Sequence, residues 1–241
     1  MPMDGGKAEF EEALYHITHD LRATLRAMKT VPGWIREDLE AAGKTMSANM
    51  AENLVVLETQ AARADQMLLD LRSYSRVGRT SDQPCEISLA SIVADAATSI
   101  GVPDSFEVRF DLGVAAVFGA RNEIQCLFES LLSNAVNHHD RDSGCIEVES
   151  SAIEGHTLVK VRDDGPGIAE ELRSRVFDMM VTGQSRDVCE GSGLGLSIAK
   201  KIVTRHGGKI CIANANAQRG CRVEILWPTD RSPEPSGPVH H

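Results

Sequence analysis

Two unbroken apolar stripes open the 241-residue chain. In the first, Leu14, Thr18, Leu21, Leu25, Met28, Pro32, Ile35 and Leu39 follow alternating steps of four and three. In the second, Met50, Leu54, Leu57, Ala61, Ala64, Leu68, Leu71 and Ser75 do the same. That spacing puts each set on one seam of a helix, the pattern of coiled coils and helical bundles. Ala41-Ala42-Gly43-Lys44-Thr45 lies between them and supplies a glycine helix stop. Residues near 8–42 and 46–77 therefore read as a helical hairpin. Two helices bury two such seams poorly, whereas two hairpins joined as a four-helix bundle bury them well, so a homodimer is expected. Pro32-Gly33 falls inside the first stripe. Proline removes a backbone hydrogen bond and crowds the previous turn. The register continues to Leu39, which predicts a kink between Met28 and Pro32, not a helix end.

The pattern then changes. Residues 79–84 are polar and turn-rich and read as a linker. From Cys85 to Pro228 helical and strand periods alternate. Ile87 to Ala97 reads as a short strand leading into a helix, Phe106 to Asp111 as a strand, and Asn122 to Asn137 as an amphipathic helix. Ile146 to Ala152 and Thr157 to Arg162 read as a hairpin around Glu154-Gly155. Gly193 to His206 reads as a helix, and Lys209 to Ala213 and Cys221 to Leu226 as strands. Helices layered on a mixed sheet are the natural outcome. Residues 229–241, rich in Pro, Ser and Gly, are expected to be disordered.

The formal net charge of −10 argues against a nucleic-acid partner, which needs a basic footprint. It does not argue against a nucleotide, whose phosphates can be held by backbone N–H groups, a helix N-terminus and a metal ion. The six cysteines show neither a C-x-x-C pair nor zinc-like spacing. No stretch approaches the length of a membrane span and no signal peptide is evident, so a cytoplasmic location without membrane insertion is expected.

Three constellations in this second region carry chemistry. Asp163-Asp164-Gly165-Pro166-Gly167-Ile168 ends an apolar strand. Its carboxylate can accept a hydrogen bond from an exocyclic amine such as adenine N6, and the glycines Gly165 and Gly167 permit close approach. Gly191-Ser192-Gly193-Leu194-Gly195-Leu196 opens directly into a helix, whose free N–H groups and dipole suit a triphosphate. It is neither a P-loop nor, for want of a preceding strand, a dinucleotide fingerprint. Glu129 to Ala135 lies on an amphipathic helix and carries Asn134, whose amide oxygen is a reasonable Mg²⁺ ligand. His138-His139-Asp140 reads as the solvated end of that helix, not a metal site.

In this order and spacing the three constellations resemble the N, G1 and G2 boxes of the Bergerat-fold ATPases. Val176-Phe177 and the closing Val203 to Gly208 are similar to the histidine kinase branch. The resemblance implies an α plus α/β fold class: a hairpin dimerising into a four-helix bundle (8–78), followed by a Bergerat α/β sandwich (85–228). It implies ATP and Mg²⁺ as ligands. Asp163 would hold adenine, with Gly165 and Gly167 also in the ATP site. Asn134 would hold the metal beside Asn137. Gly191, Ser192, Gly193, Leu194, Gly195 and Leu196 would close on the phosphates, and residues 169–190 would form a mobile lid.

A fourth motif, His16-Ile17-Thr18-His19-Asp20-Leu21-Arg22-Ala23-Thr24-Leu25-Arg26, resembles the H-box of phytochrome-like kinases. By that resemblance His19 is the phosphoacceptor, Asp20 orients its ring, and a response regulator receiver domain takes the phosphoryl group. The seam turns Thr18 and Leu21 inward, which directs His19 outward. Thr24, Ser130, Asn137, His138 and Met180 depart from the usual pattern, and slower phosphorylation is expected. The altered N-box keeps a second reading open, a histidine phosphotransferase with a degenerate ATP domain. A serine kinase on the same ATP fold would lack the H-box hairpin, and a purely structural dimer would leave the glycine boxes unexplained. Few residues precede the first stripe, so a sensor on a truncated segment or a separate protein is expected.

Overall fold

A computed structural model describes residues 4–79, 82–181, 192–213 and 219–229; of residues 4–16, 19, 20 and 23 it describes the backbone only. The chain divides into two compact units, residues 1–76 and 77–241.

The first unit is two helices, α1 (Asp4–Ala41) and α2 (Ala48–Arg76). Pro32 lies within α1 without ending it. Gly43 adopts a left-handed φ of 62° in the connecting turn, where the Gly43 and Lys44 N–H groups close on the Glu40 and Leu39 carbonyls. Across the helices Asp65 accepts from Arg22 Nε at 3.3 Å and from Lys29 Nζ at 3.2 Å. Arg36 grips Glu58 with two hydrogen bonds. The seam is only half used. Thr18, Leu54, Ala61 and Ser75 are buried, while Leu21, Met28, Met50 and Leu57 stay 39–49% exposed. Within this unit each helix packs on the other, so a seam wide enough for a bundle leaves part of itself uncovered.

The second unit begins with β1 (Cys85–Ser88), α3 (Leu89–Ile100), β2 (Phe106–Leu112), β3 (Ala116–Gly119) and α4 (Arg121–Asn137). Then come the hairpin β4 (Gly144–Ile153) and β5 (His156–Asp163), the short α5 (Glu170–Arg173), α6 (Gly195–Arg205), β6 (Lys209–Ile212) and β7 (Arg222–Pro228). Strands β1 and β3 pair as an antiparallel ribbon. The others form one sheet in the order β2-β4-β5-β7-β6, parallel only between β2 and β4. Ser88 caps α3 and left-handed Gly101 stops it.

The strand period of two decides what faces the helices. Ile146 and Val148, Val159 and Val161, and Val223, Ile225 and Trp227 are buried, while Glu147, Lys160 and Glu224 between them carry charge. Ile124, Leu127, Phe128, Leu131 and Leu132 of α4 and Ile198, Ala199, Ile202 and Val203 of α6 complete the core. Against this layer α4 packs between α3 and α6.

A buried carboxylate ties one end of that helix pair. Glu123, in the first turn of α4, is 5% exposed. It accepts from Gly78 N–H and His206 Nε2, each at 2.8 Å, and Arg205 Nε lies 3.3 Å away. Burial pushes its pKa up, but the His206 and Gly78 hydrogen bonds and the charges of His206 and Arg205 outweigh that and hold it below the usual carboxylate range. A folded pKa below the unfolded value of about 4.3 contributes stability that is complete above that pH and lost as pH falls through the folded pKa. Glu123→Ala should cost about 3 kcal/mol at neutral pH, because it orphans buried partners. Glu123→Gln should flatten the acid side of the stability profile of this unit in urea melts; an unchanged acid slope would contradict the assignment.

Candidate functional site

The end of β5 carries two aspartates with different surroundings. Asp163 Oδ1 accepts the N–H groups of Gly165 at 2.9 Å and Cys221 at 3.2 Å, while Oδ2 takes no partner among the described residues. Burial pushes the Asp163 carboxyl above its usual range, against the pull of those two N–H groups. The same burial and Asp163 itself drive the Cys221 thiol up to about 12. Asp164 is more exposed. The Cys145 N–H, at 2.7 Å, and then His139 lower its pKa. Asp163 therefore keeps an acceptor free for a ligand, while Asp164 fastens the turn to the start of β4.

The turn also needs a glycine far away in sequence. Gly220 has φ +106°, and a Cβ there would lie 1.9 Å from the Asp163 carbonyl oxygen. Gly167, at φ +80°, would in turn strike the Gly220 carbonyl at 2.9 Å. Both positions thus exclude a side chain. Nothing in local sequence marks Gly220, because its constraint comes from a strand end 57 positions away (220 − 163).

Asn134 and Gly195 meet. A Cβ on Gly195, the first residue of α6, would lie 3.2 Å from both Nδ2 and Oδ1 of Asn134. Asn134 Nδ2 is buried with no hydrogen-bond partner among the described residues. Either end of the amide can be turned toward a ligand, so this group fits a phosphate oxygen or the first shell of a metal ion. Among the described residues no cluster of three His, Cys, Asp or Glu side chains offers a metal site.

Before α6, Ser192 Oγ accepts the Leu194 N–H at 3.1 Å, and Gly193 receives the Met180 N–H on its carbonyl at 3.0 Å. Leu194 is buried and anchors the approach, and Leu196 follows in the first helical turn. Gly191 and residues 182–190 of the segment read as a lid lie outside the described residues. Asn137 stands exposed at the end of α4 and turns its amide to Ser133 Oγ at 3.0 Å. His138 next to it is partly buried, and that burial lowers its pKa against the attraction of Asp163. His139 differs from the solvated reading: its side chain is 1% exposed and meets Asp164. His19 and Asp20 lie on α1 in the other unit, their side chains outside the described residues.

A sheet with helices on one face, a carboxylate at a strand end and an amide facing a glycine-led helix defines an ATPase-type nucleotide domain. Residues 119–231 match the family described as Histidine kinase-, DNA gyrase B-, and HSP90-like ATPase. Over 94% of its length the chain is 32% identical to the methanogenesis regulatory histidine kinase FilI of Methanothrix harundinacea, covering 25% of that protein. It spans under half the length of the curated relatives it matches. Its fold is similar to full-length ShkA in complex with AMPPNP, at TM-score 0.63 and 18% identity over 92% of this chain and 47% of that one. It is also similar to histidine kinase ThkA in complex with response regulator protein TrrA, at TM-score 0.60 and 20% identity over 92% and 64%. The chain has the make-up of a sensor histidine kinase catalytic core. No helix among the described residues is long and apolar enough to cross a membrane.

Asp163→Asn separates the site's chemistry from its stability. Asparagine still accepts from Gly165 and Cys221 but turns N–H, not a lone pair, toward an adenine amine. The unliganded protein should melt at a higher temperature, because a buried charge is removed, and should lose the rise in melting temperature that ATP gives. A variant still stabilised by ATP as strongly as the unaltered chain would contradict the role of Asp163.

Proposed function

We propose that the chain is a protein-histidine kinase that binds ATP and Mg²⁺ in its sheet unit, phosphorylates His19 and passes the phosphoryl group to an aspartate of a response regulator. The observation that carries this reading is the buried Asn134 Nδ2, without a hydrogen-bond partner among the described residues, against the first residue of α6. A side-chain amide beside a helix N-terminus suits phosphates and their metal. The hairpin is then the dimerisation and phosphoacceptor domain. Leu21, Met28, Met50 and Leu57, exposed in one chain, are the positions a second copy would cover.

In the mechanism Asp163 accepts the adenine amine on Oδ2, and the first N–H groups of α6, at Gly195 and Leu196, face the phosphates. Asn134 would hold Mg²⁺, whose charge would offset that of the phosphates. An imidazole with a reference pKa near ~6.5 is largely neutral at cytoplasmic pH. One ring nitrogen of His19 forms the P–N bond as the bond from the γ-phosphorus to the departing ADP oxygen breaks. Asp20 accepts the proton from the other ring nitrogen and steadies the charge that develops. The AMPPNP complex of ShkA and the response regulator complex of ThkA support the ligand and the partner.

Incubation with γ-labelled ATP and Mg²⁺ tests this. Acid-labile, base-stable label should appear on the unaltered chain and be absent from His19→Gln and Asn134→Ala. No label on any of them, with label gained from a phosphorylated receiver domain, would make the protein a histidine phosphotransferase instead.

A further inference from the structure

His139 follows α4, at a place where the sequence pattern gives a solvated residue, yet every side of its ring is engaged. The Arg141 N–H donates to Nδ1 at 3.1 Å, which leaves the ring proton on Nε2. Nε2–H then donates to Asp164 Oδ1 at 3.1 Å. The opposite tautomer, donating from Nδ1 to the Arg141 carbonyl, would set a lone pair against the carboxylate. Phe106 meets the ring edge-on with centroids 5.2 Å apart. The ring also underlies the ligand turn: a Cβ on Gly165 would lie 3.2 Å from His139 Cδ2 and 3.0 Å from Asp163 Oδ1. On the other side a Cβ on Gly144 would approach Nε2 to 2.9 Å, so a side chain there would displace the ring.

We infer that His139 is a positioning residue for nucleotide recognition: its ring fixes the Asp163–Gly165 turn to the end of the helix that carries Asn134. The inference rests on the nucleotide reading above. Asp163 comes from the sheet and Asn134 from the helix layer, and the two must hold opposite ends of one ligand. The His139–Asp164 hydrogen bond joins those layers beside the adenine end. Its loss should let the turn drift and weaken adenine recognition, while the phosphate end on α6 keeps its contacts.

The test is calorimetric titration of the whole chain with ADP and with GDP, whose base lacks the amine that Asp163 accepts. His139→Leu should lose about tenfold in ADP affinity and change less toward GDP, so the ADP preference falls. His139→Gln, whose amide reaches the place of Nε2, should recover most of that preference. Loss of folded protein would reduce binding of both nucleotides alike and leave the preference intact. An unchanged preference in His139→Leu therefore overturns the inference. If that variant does not fold, Asp164→Ala removes the other half of the bond and is held to the same readout. Absence of ADP binding by the unaltered chain would overturn the nucleotide reading itself, and this inference with it.

Discussion

A partly buried carboxylate sets the conditions for the rest of the sheet unit. Asp163 is tolerated there because two backbone N–H groups, from Gly165 and Cys221, converge on one of its oxygens. That convergence needs the chain before β7 to pass so close to the end of β5 that only glycine fits at position 220. The desolvation that raises the Asp163 pKa is a standing cost of the folded protein, which a hydrogen-bond donor on the free oxygen would relieve.

The helix layer separates the two needs. α4 and α6 run antiparallel, so the end of α4 that carries Glu123 meets the end of α6 that carries His206. The opposite ends bring Asn134 to Gly195. At one end the Glu123 carboxylate is paired by Gly78 and His206; at the other the buried Asn134 Nδ2 lacks a hydrogen-bond partner among the described residues. Apolar packing between the helices, through Leu127, Leu131, Ile198 and Ile202, joins the two ends.

Much of this was legible in the sequence. Both hairpin helices follow from a heptad register sustained over eight positions each, and the β4–β5 hairpin from alternation around Glu154-Gly155. Strand β3 was not legible, because it has four residues and is made a strand only by β1. Helix α5 is a single turn within a segment read as a lid. The unit boundary at Arg76 falls where the apolar register stops. At the site, Asp163, Asn134 and Gly195 were marked by motif, since local chemistry at fixed spacing reveals them. Gly220 and His139 were not, because what constrains them lies across the sheet. The exposed half of the hairpin seam shows the same limit. Periodicity states which residues want burial, and the single chain shows which remain without it.

The central claim is that the turn at Asp163, the amide of Asn134 and the start of α6 form one nucleotide site. Amide chemical shifts of the isotopically labelled chain, followed as AMPPNP and Mg²⁺ are added, test it most directly. The account predicts saturable shifts concentrated at Gly165, Cys221, Gly195 and Leu196 and at the Asn134 side-chain amide, with the Glu123 end of the helix pair unmoved. Shifts confined to other surfaces, or none at saturating nucleotide, would contradict it.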